Sequence, residues 1–371
     1  MRILVVTPFL PDARACHGGG AYLANLLTGL AEVAEVGLVA LLDAAEVPRW
    51  AGDHPWRYGL FATRPPARPG LGGLRTRLRH LWAWRRLPLV AAKSWHAQLP
   101  DLLRRALAEW QPDGVMVELA QMAQYLPFLT RVPTILTDHE AGCPANVTTG
   151  LGPAGDARDR ALWRRYAATH YPQASAVQAV TPEDQATLQA LLGRAVQVRS
   201  PVVAVSTHPA RPAAAPIRAL FIGDYSHAPN PEAARRIVHE VLPLLRRALP
   251  TAELWLAGPH SERVADLGSV AGVHLAGFVP DLAALFASTR LLLAPVYSGG
   301  GFRMKVLTAL AHGVPVVTNA LGARGIAAPL AAMARGETAA ELASAAMPWL
   351  QSPAAAGSSG EAAAAWAATH T

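Results

Sequence analysis

Short runs of β-branched and aliphatic residues, each followed by a loop and then by helical periodicity, recur along the whole chain. The first is Ile3–Thr7, closed by Pro8. After it come Gly18-Gly19-Gly20, a helix from about Tyr22 to Val33, and a second run, Val36–Leu42. Runs without a polar alternate face must be covered on both sides, and strands joined through helices are parallel. The rhythm therefore predicts a doubly wound α/β sheet. Further strands are expected at Gly114–Glu118, Thr134–Thr137 and Ala176–Thr181. Helices are expected at Leu99–Trp110, at Arg160–His170 and from Pro182 onward, with Thr181 as N-cap of the last.

Residues 207–216, rich in Pro and Ala, interrupt the pattern, which then restarts. Strands are predicted at Ile217–Gly223, Glu253–Gly258, Val273–Gly277, Leu291–Pro295 and Val314–Thr318. Helices are predicted at Pro231–Ala248, Leu282–Ala287 and Met304–His312. The reading is a first domain over 1–206, a linker at 207–216 and a second domain over 217–351. Residues 352–371 read as a spacer (352–360) before a terminal helix that could pack back on the first domain. A length of 371 residues suits two domains, and 51% hydrophobic residues suffice for two cores.

The formal net charge of +7 favours anionic partners: phosphate-bearing ligands, membrane surfaces or nucleic acid. No domain-long run of Lys and Arg interleaved with aromatics occurs, which argues against nucleic acid. Cys16 and Cys143 are the two cysteines, giving neither a disulfide framework nor a zinc spacing, and fit a reducing cytoplasm. The opening apolar stretch is too short for a signal peptide. No apolar run reaches the roughly 18–20 residues that span a bilayer. Cytoplasmic localisation is expected. Residues 64–88 complicate it: Arg64, Arg68, Arg75, Arg77, Arg79, Arg85 and Arg86 alternate with Leu74, Leu78, Leu81, Trp82 and Trp84. This basic amphipathic helix reads either as a surface for anionic lipid at the inner face of the membrane or as a helix packed on its own domain with solvated arginines.

The densest chemistry lies at Pro295–Leu307, between a buried strand and a helix. Gly299, Gly300 and Gly301 let the backbone approach an anion. The free N–H groups of the helix start favour negative charge by about 0.3–1 kcal/mol each. Arg303 and Lys305 add two cations. Together they read as a pyrophosphate site, the alternative being a glycine turn with two solvated basic residues.

The ordered set Leu220-Phe221-Ile222-Gly223, Pro229-Asn230, Leu256-Ala257-Gly258, Gly277-Phe278-Val279, Pro295 with its glycine turn, and Gly313-Val314-Pro315-Val316-Val317 resembles the C-terminal domain of retaining glycosyltransferase family four. The likeness is to the branch with a G-G-G-x-R-x-K donor loop, and it covers about 217–326. The first half resembles that family more weakly, through its opening strand, its Gly loop and Thr181-Pro182-Glu183-Asp184. The resemblance implies a GT-B fold, two Rossmann-like domains facing each other across a cleft. It implies a nucleoside-diphosphate sugar as co-substrate, an acceptor of unknown kind and no other cofactor. Arg303 and Lys305 would neutralise the diphosphate, and Gly299, Gly300, Gly301 and Phe302 would line it, beside Gly223. Phe278 and Val279 would border the base, Gly18 and Gly19 would line the site from the first domain, and His139 would approach the transferred sugar. No metal is implied: there is no Asp-x-Asp pair, and the two cations would do its work.

One departure stands out. Most of that family carries Glu at the positions of Gly300 and Thr308, the later one gripping the donor ribose. A hydroxyl at Thr308 replaces a charged, bidentate acceptor, a loss of about 1–3 kcal/mol of donor affinity. Three functions stay open on the sequence: a retaining sugar transferase, a nucleotide-sugar epimerase of the same fold, and a catalytically weak relative that binds a partner.

Overall fold

The computed structural model describes residues 1–12, 18–64, 71–141, 149–201, 203, 205–206 and 216–370, with backbone alone for 18 and 71–76. The linker expected at 207–216 falls outside them except for Pro216, as do Cys16, His17, Arg68 and Cys143. The chain forms two compact units, one holding most of residues 1–200 and the other most of 201–371.

The first unit is built on a seven-stranded parallel sheet of order β3-β2-β1-β4-β5-β6-β7. Its strands are β1 (Arg2–Thr7), β2 (Glu35–Leu42), β3 (Tyr58–Thr63), β4 (Gly114–Glu118), β5 (Thr134–Asp138), β6 (Ala176–Ala179) and β7 (Gln197–Val198). Alternate residues of β1 serve two cores. Leu4 and Val6 pack with Val39, Leu41, Val117 and Leu136, while Val5 packs with Leu27, Leu38, Ala40 and Leu42 on the other face. Each such side chain contributes about 1.5–3 kcal/mol when fully buried. This two-sided burial is why the strands read as unbroken apolar runs. The covering helices are α1 (Gly18–Val33), α2 (Leu71–Ala83), α3 (Leu89–Ser94), α4 (Leu99–Trp110), α5 (Gly152–His170) and α6 (Pro182–Leu192). Thr181 caps α6, its Oγ1 accepting from the Asp184 amide at 3.0 Å.

The second unit carries a six-stranded parallel sheet of order β10-β9-β8-β11-β12-β13. The strands are β8 (Arg218–Ile222), β9 (Glu253–Ala257), β10 (Val273–Gly277), β11 (Leu291–Leu293), β12 (Val316–Thr318) and β13 (Met333–Arg335). Its helices are α7 (Pro229–Arg236), α8 (Leu242–Ala248), α9 (Leu282–Ala287), α10 (Met304–Ala311), α11 (Ala339–Gln351) and α12 (Pro353–His370). A single π turn, Ile237–Val241, joins α7 to α8 just before Pro243, which lacks the N–H that a regular helix needs there.

Residues 352–360, a spacer by sequence, are a correction. They continue as α12, which buries Ala356, Ser359, Gly360, Ala363 and Ala367 and packs against α10 and α11. The Ala content that looks like low complexity is also the best helix-forming composition, and the small residues share one buried face.

In each sheet the strand order reverses once, between β1 and β4 and between β8 and β11. Ligands of open parallel sheets bind at such switch points, outside the carboxyl ends of the strands. At this edge of the second sheet two glycines meet. Gly258 has φ +136°, and a Cβ there would stand 2.0 Å from the Gly223 carbonyl oxygen. Gly258→Ala is expected to destabilise the protein by about 3 kcal/mol or more through strain and clash. Gly29→Ala, in α1 with nothing within 4 Å of the added carbon, should stabilise it by about 0.5–1 kcal/mol. Urea denaturation of the two variants reads both signs.

Candidate functional site

At the switch point of the second unit, the chain leaves β8 through Gly223 and leaves β11 through the loop that starts α10. The Gly223 amide donates to Ala257 O at 3.0 Å, and the Gly258 amide donates to Gly277 O at 2.7 Å. The carboxyl ends of β8, β9 and β10 are thus laced together through glycines. A Cβ at Gly223 would stand 2.6 Å from the Asn230 side chain, so the absence of one gives Asn230 its place.

The loop after β11 is held from beneath by Asn319. Its Oδ1 accepts from the Val296 and Gly322 amides at 3.0 and 2.9 Å, and its Nδ2 donates to Val296 O at 2.7 Å. Gly299 and Gly301 have φ of +91° and +79°, conformations that side-chain-bearing residues rarely adopt. Arg303 lies buried at the helix start, donating from Nε to Leu321 O at 3.2 Å and from Nη2 to Gly299 O at 2.9 Å. Its guanidinium therefore shapes the loop while its charge stays in the site.

Lys305 is the second cation. Its Nζ donates to Asn230 Oδ1 at 2.7 Å and sits 4.3 Å from the Phe221 ring centre. Burial, with repulsion from Arg303, pushes Lys305 down to about 7. No carboxylate among the described residues pairs with it. An anion arriving here would meet an ammonium that gains by being charged. His227 joins the cluster, its Nε2 lying 4.0 Å from where a Gly299 Cβ would be. Partial burial, followed by the Lys305 charge, holds this imidazole below its ordinary value.

Phe278 and Val279 follow β10 at the same edge, Phe278 being 54% exposed, an apolar face open to a ligand ring. Gly300 and Phe302 lie in the loop. Thr308 is on α10, and its hydroxyl has no hydrogen-bond partner among the described residues. Glu232 is a carboxylate at this loop, its Oε2 accepting from Ser298 Oγ at 2.8 Å.

Gly18 and Gly19 open α1, which follows β1 in the chain. His139 follows β5, and its Nε2 lies 3.0 Å from Glu118 Oε2 at the end of β4. Glu118 is fully buried. Its Oε1 accepts from Arg199 Nη2 at 2.7 Å and from Thr137 Oγ1 at 3.1 Å. Burial opposes the Glu118 charge, but Arg199 and His139 outweigh it and hold the carboxyl below its usual range. That ion pair contributes stability above the unfolded value and is lost as pH falls. Asp138 differs: burial pushes it up, even though Tyr171 OH and the Glu140 amide donate to it at 2.6 and 2.8 Å. The Glu118 carboxylate accepts from His139 Nε2 and orients the ring.

Comparison with known proteins agrees with this architecture. Residues 216–352 match the family model of the group 1 glycosyl transferases. No curated relative matches the chain in sequence. Among solved structures, HepE of Anabaena, in complex with UDP and glucose, is 17% identical with a TM-score of 0.66 over 100% of this chain and 95% of that one. Sucrose-phosphate synthase from Thermosynechococcus elongatus is 17% identical with a TM-score of 0.68, covering 100% and 94%. WaaG, a glycosyltransferase of lipopolysaccharide biosynthesis, is 15% identical with a TM-score of 0.60, covering 99% and 95%. The chain has the GT-B fold.

Within that GT-B frame, the second unit brings Gly223, Gly299, Arg303 and Lys305 into one cluster and adds Asn230 and His227 to it. Asn230 was visible only as part of a Pro-Asn pair, and His227 carried no signal in its spacing. Glu118 and Arg199 were missed altogether, because their link to His139 depends on the pairing of β4 with β5. Glu118→Ala, which strands the Arg199 charge, is expected to cost about 3–5 kcal/mol in chemical denaturation. Glu118→Met combined with Arg199→Met should cost less than the sum of the two single changes.

Proposed function

We propose that the chain is a retaining glycosyltransferase that moves a hexose-type sugar from a nucleoside-diphosphate sugar to a glycan, lipid-linked or small-molecule acceptor. The observation that carries this reading is Lys305: a half-buried ammonium without a carboxylate partner among the described residues, held on Asn230 at a switch point, beside a glycine loop, inside the segment that matches the group 1 glycosyl transferases. In this reading the diphosphate lies against the start of α10, where the helix N–H groups and Lys305 meet its charge and Arg303 keeps the loop in shape. Phe278 and Val279 border the base. Arg303 and Lys305 supply the positive charge that a metal ion supplies elsewhere.

In this reading the acceptor attacks the face that the diphosphate leaves, which retains the anomeric configuration, and the leaving diphosphate takes the acceptor's proton. Protein catalysis here is positioning and charge stabilisation as the diphosphate leaves. That HepE was solved with UDP-glucose makes this the first donor to test.

Thr308 supports a second reading, a weak or silent relative, because a lone hydroxyl stands where a carboxylate would grip the ribose. The two separate in a thermal-shift and calorimetric panel of UDP, GDP, ADP and dTDP. One diphosphate should stabilise the protein, and Lys305→Met should weaken its binding by about tenfold or more. A folded protein that answers to none of the four would remove the donor site and leave the silent relative.

A further inference from the structure

The first unit contains a large pocket that the proposed reaction does not use. It lies between the C-terminal end of α2, the turn after it, α3 and the segment Ala120–Phe128, and has a volume of about 1070 Å³. That is ample for a ligand of lipid size. Trp82, Leu87, Ala92 and Trp95 give it an apolar lining. Trp82 and Trp95 are 66% and 42% exposed, and Trp95 is stacked on Tyr125 with ring centres 5.2 Å apart. Large rings are seldom left this open unless something covers them.

The polar part of the lining is one-sided in charge. Arg79, Arg85 and Arg86 belong to it, and no Asp or Glu does among the described residues. The cations act on their neighbours: after burial, repulsion from Arg79 helps to hold His80 below its ordinary value, and Arg64 and Arg79 do the same to His96.

We propose that this pocket binds an amphiphile of one apolar chain and a phosphate-ester head. The chain lies over Trp82, Leu87 and Trp95. The head meets Arg79, Arg85 and Arg86. The site stands apart from donor binding, and either can fail without the other.

The test is calorimetry on the full chain with dodecyl phosphate below its micelle concentration, with dodecyl maltoside and inorganic phosphate as controls. Dodecyl phosphate should bind one to one, and about tenfold tighter than the uncharged maltoside of the same chain length. Inorganic phosphate should give no heat. The exposed pair Arg85→Gln with Arg86→Gln should weaken binding by about tenfold with the melting curve unchanged, and Trp82→Ala should weaken it as well. Equal binding of both detergents, no effect of the arginine changes, or association only with vesicles of anionic lipid would overturn the proposal, the last pointing to a surface contact instead of a pocket.

Discussion

Parallel strands buried on both faces can offer polar backbone to a ligand only at their ends. In each unit the apolar demand of the strands is met by helices on both sides, and the chain must reverse its winding once to supply them. The carboxyl ends of β8 and β11 are left diverging at that reversal. Everything in the candidate donor site follows from this gap. Gly223 and Gly258 permit backbone contact at the strand ends, Asn319 props the loop that follows β11, and α10 starts from that loop.

Charge is arranged differently in the two units. In the first, Glu118 is buried and bonded to both Arg199 and His139, a network whose removal in halves is costly. In the second, Lys305 is half-buried on Asn230 with no carboxylate partner among the described residues, and burial with the neighbouring Arg303 makes its protonation harder. The first pattern fixes a side chain in position. The second stores an unfavourable interaction that an anion relieves, and for that reason Lys305 is the residue on which the functional reading turns.

Much of this was legible in the sequence. The strands Gly114–Glu118 and Val273–Gly277 and the helix Leu99–Trp110 have bounds set by abrupt changes of periodicity. Gly299, Arg303 and Lys305 were readable as a site because glycine, helix start and cation follow each other in the chain. Three features were not. β3 alternates bulky residues with Gly59 and lacks the Val/Ile density of its neighbours. Ser352 to Gly360 hid a helix behind a linker-like composition. Arg303 looked like a free phosphate ligand, but only the fold shows Gly299 O and Leu321 O within its reach. Pairings such as Glu118 with His139 and Asn230 with Lys305 join residues far apart in sequence, and no local pattern encodes them.

The central claim is that a diphosphate is received by an ammonium that is only partly charged beforehand. The most direct measurement is the number of protons taken up when the responding nucleoside diphosphate binds, from calorimetry at pH 8 in buffers of different ionisation enthalpy. With Lys305 down at about 7 in the free protein, binding should draw in close to one proton, roughly 0.9 by linkage, and Lys305→Met should abolish the uptake. Binding of the same nucleotide with no proton uptake, or with an uptake that survives Lys305→Met, would contradict the account.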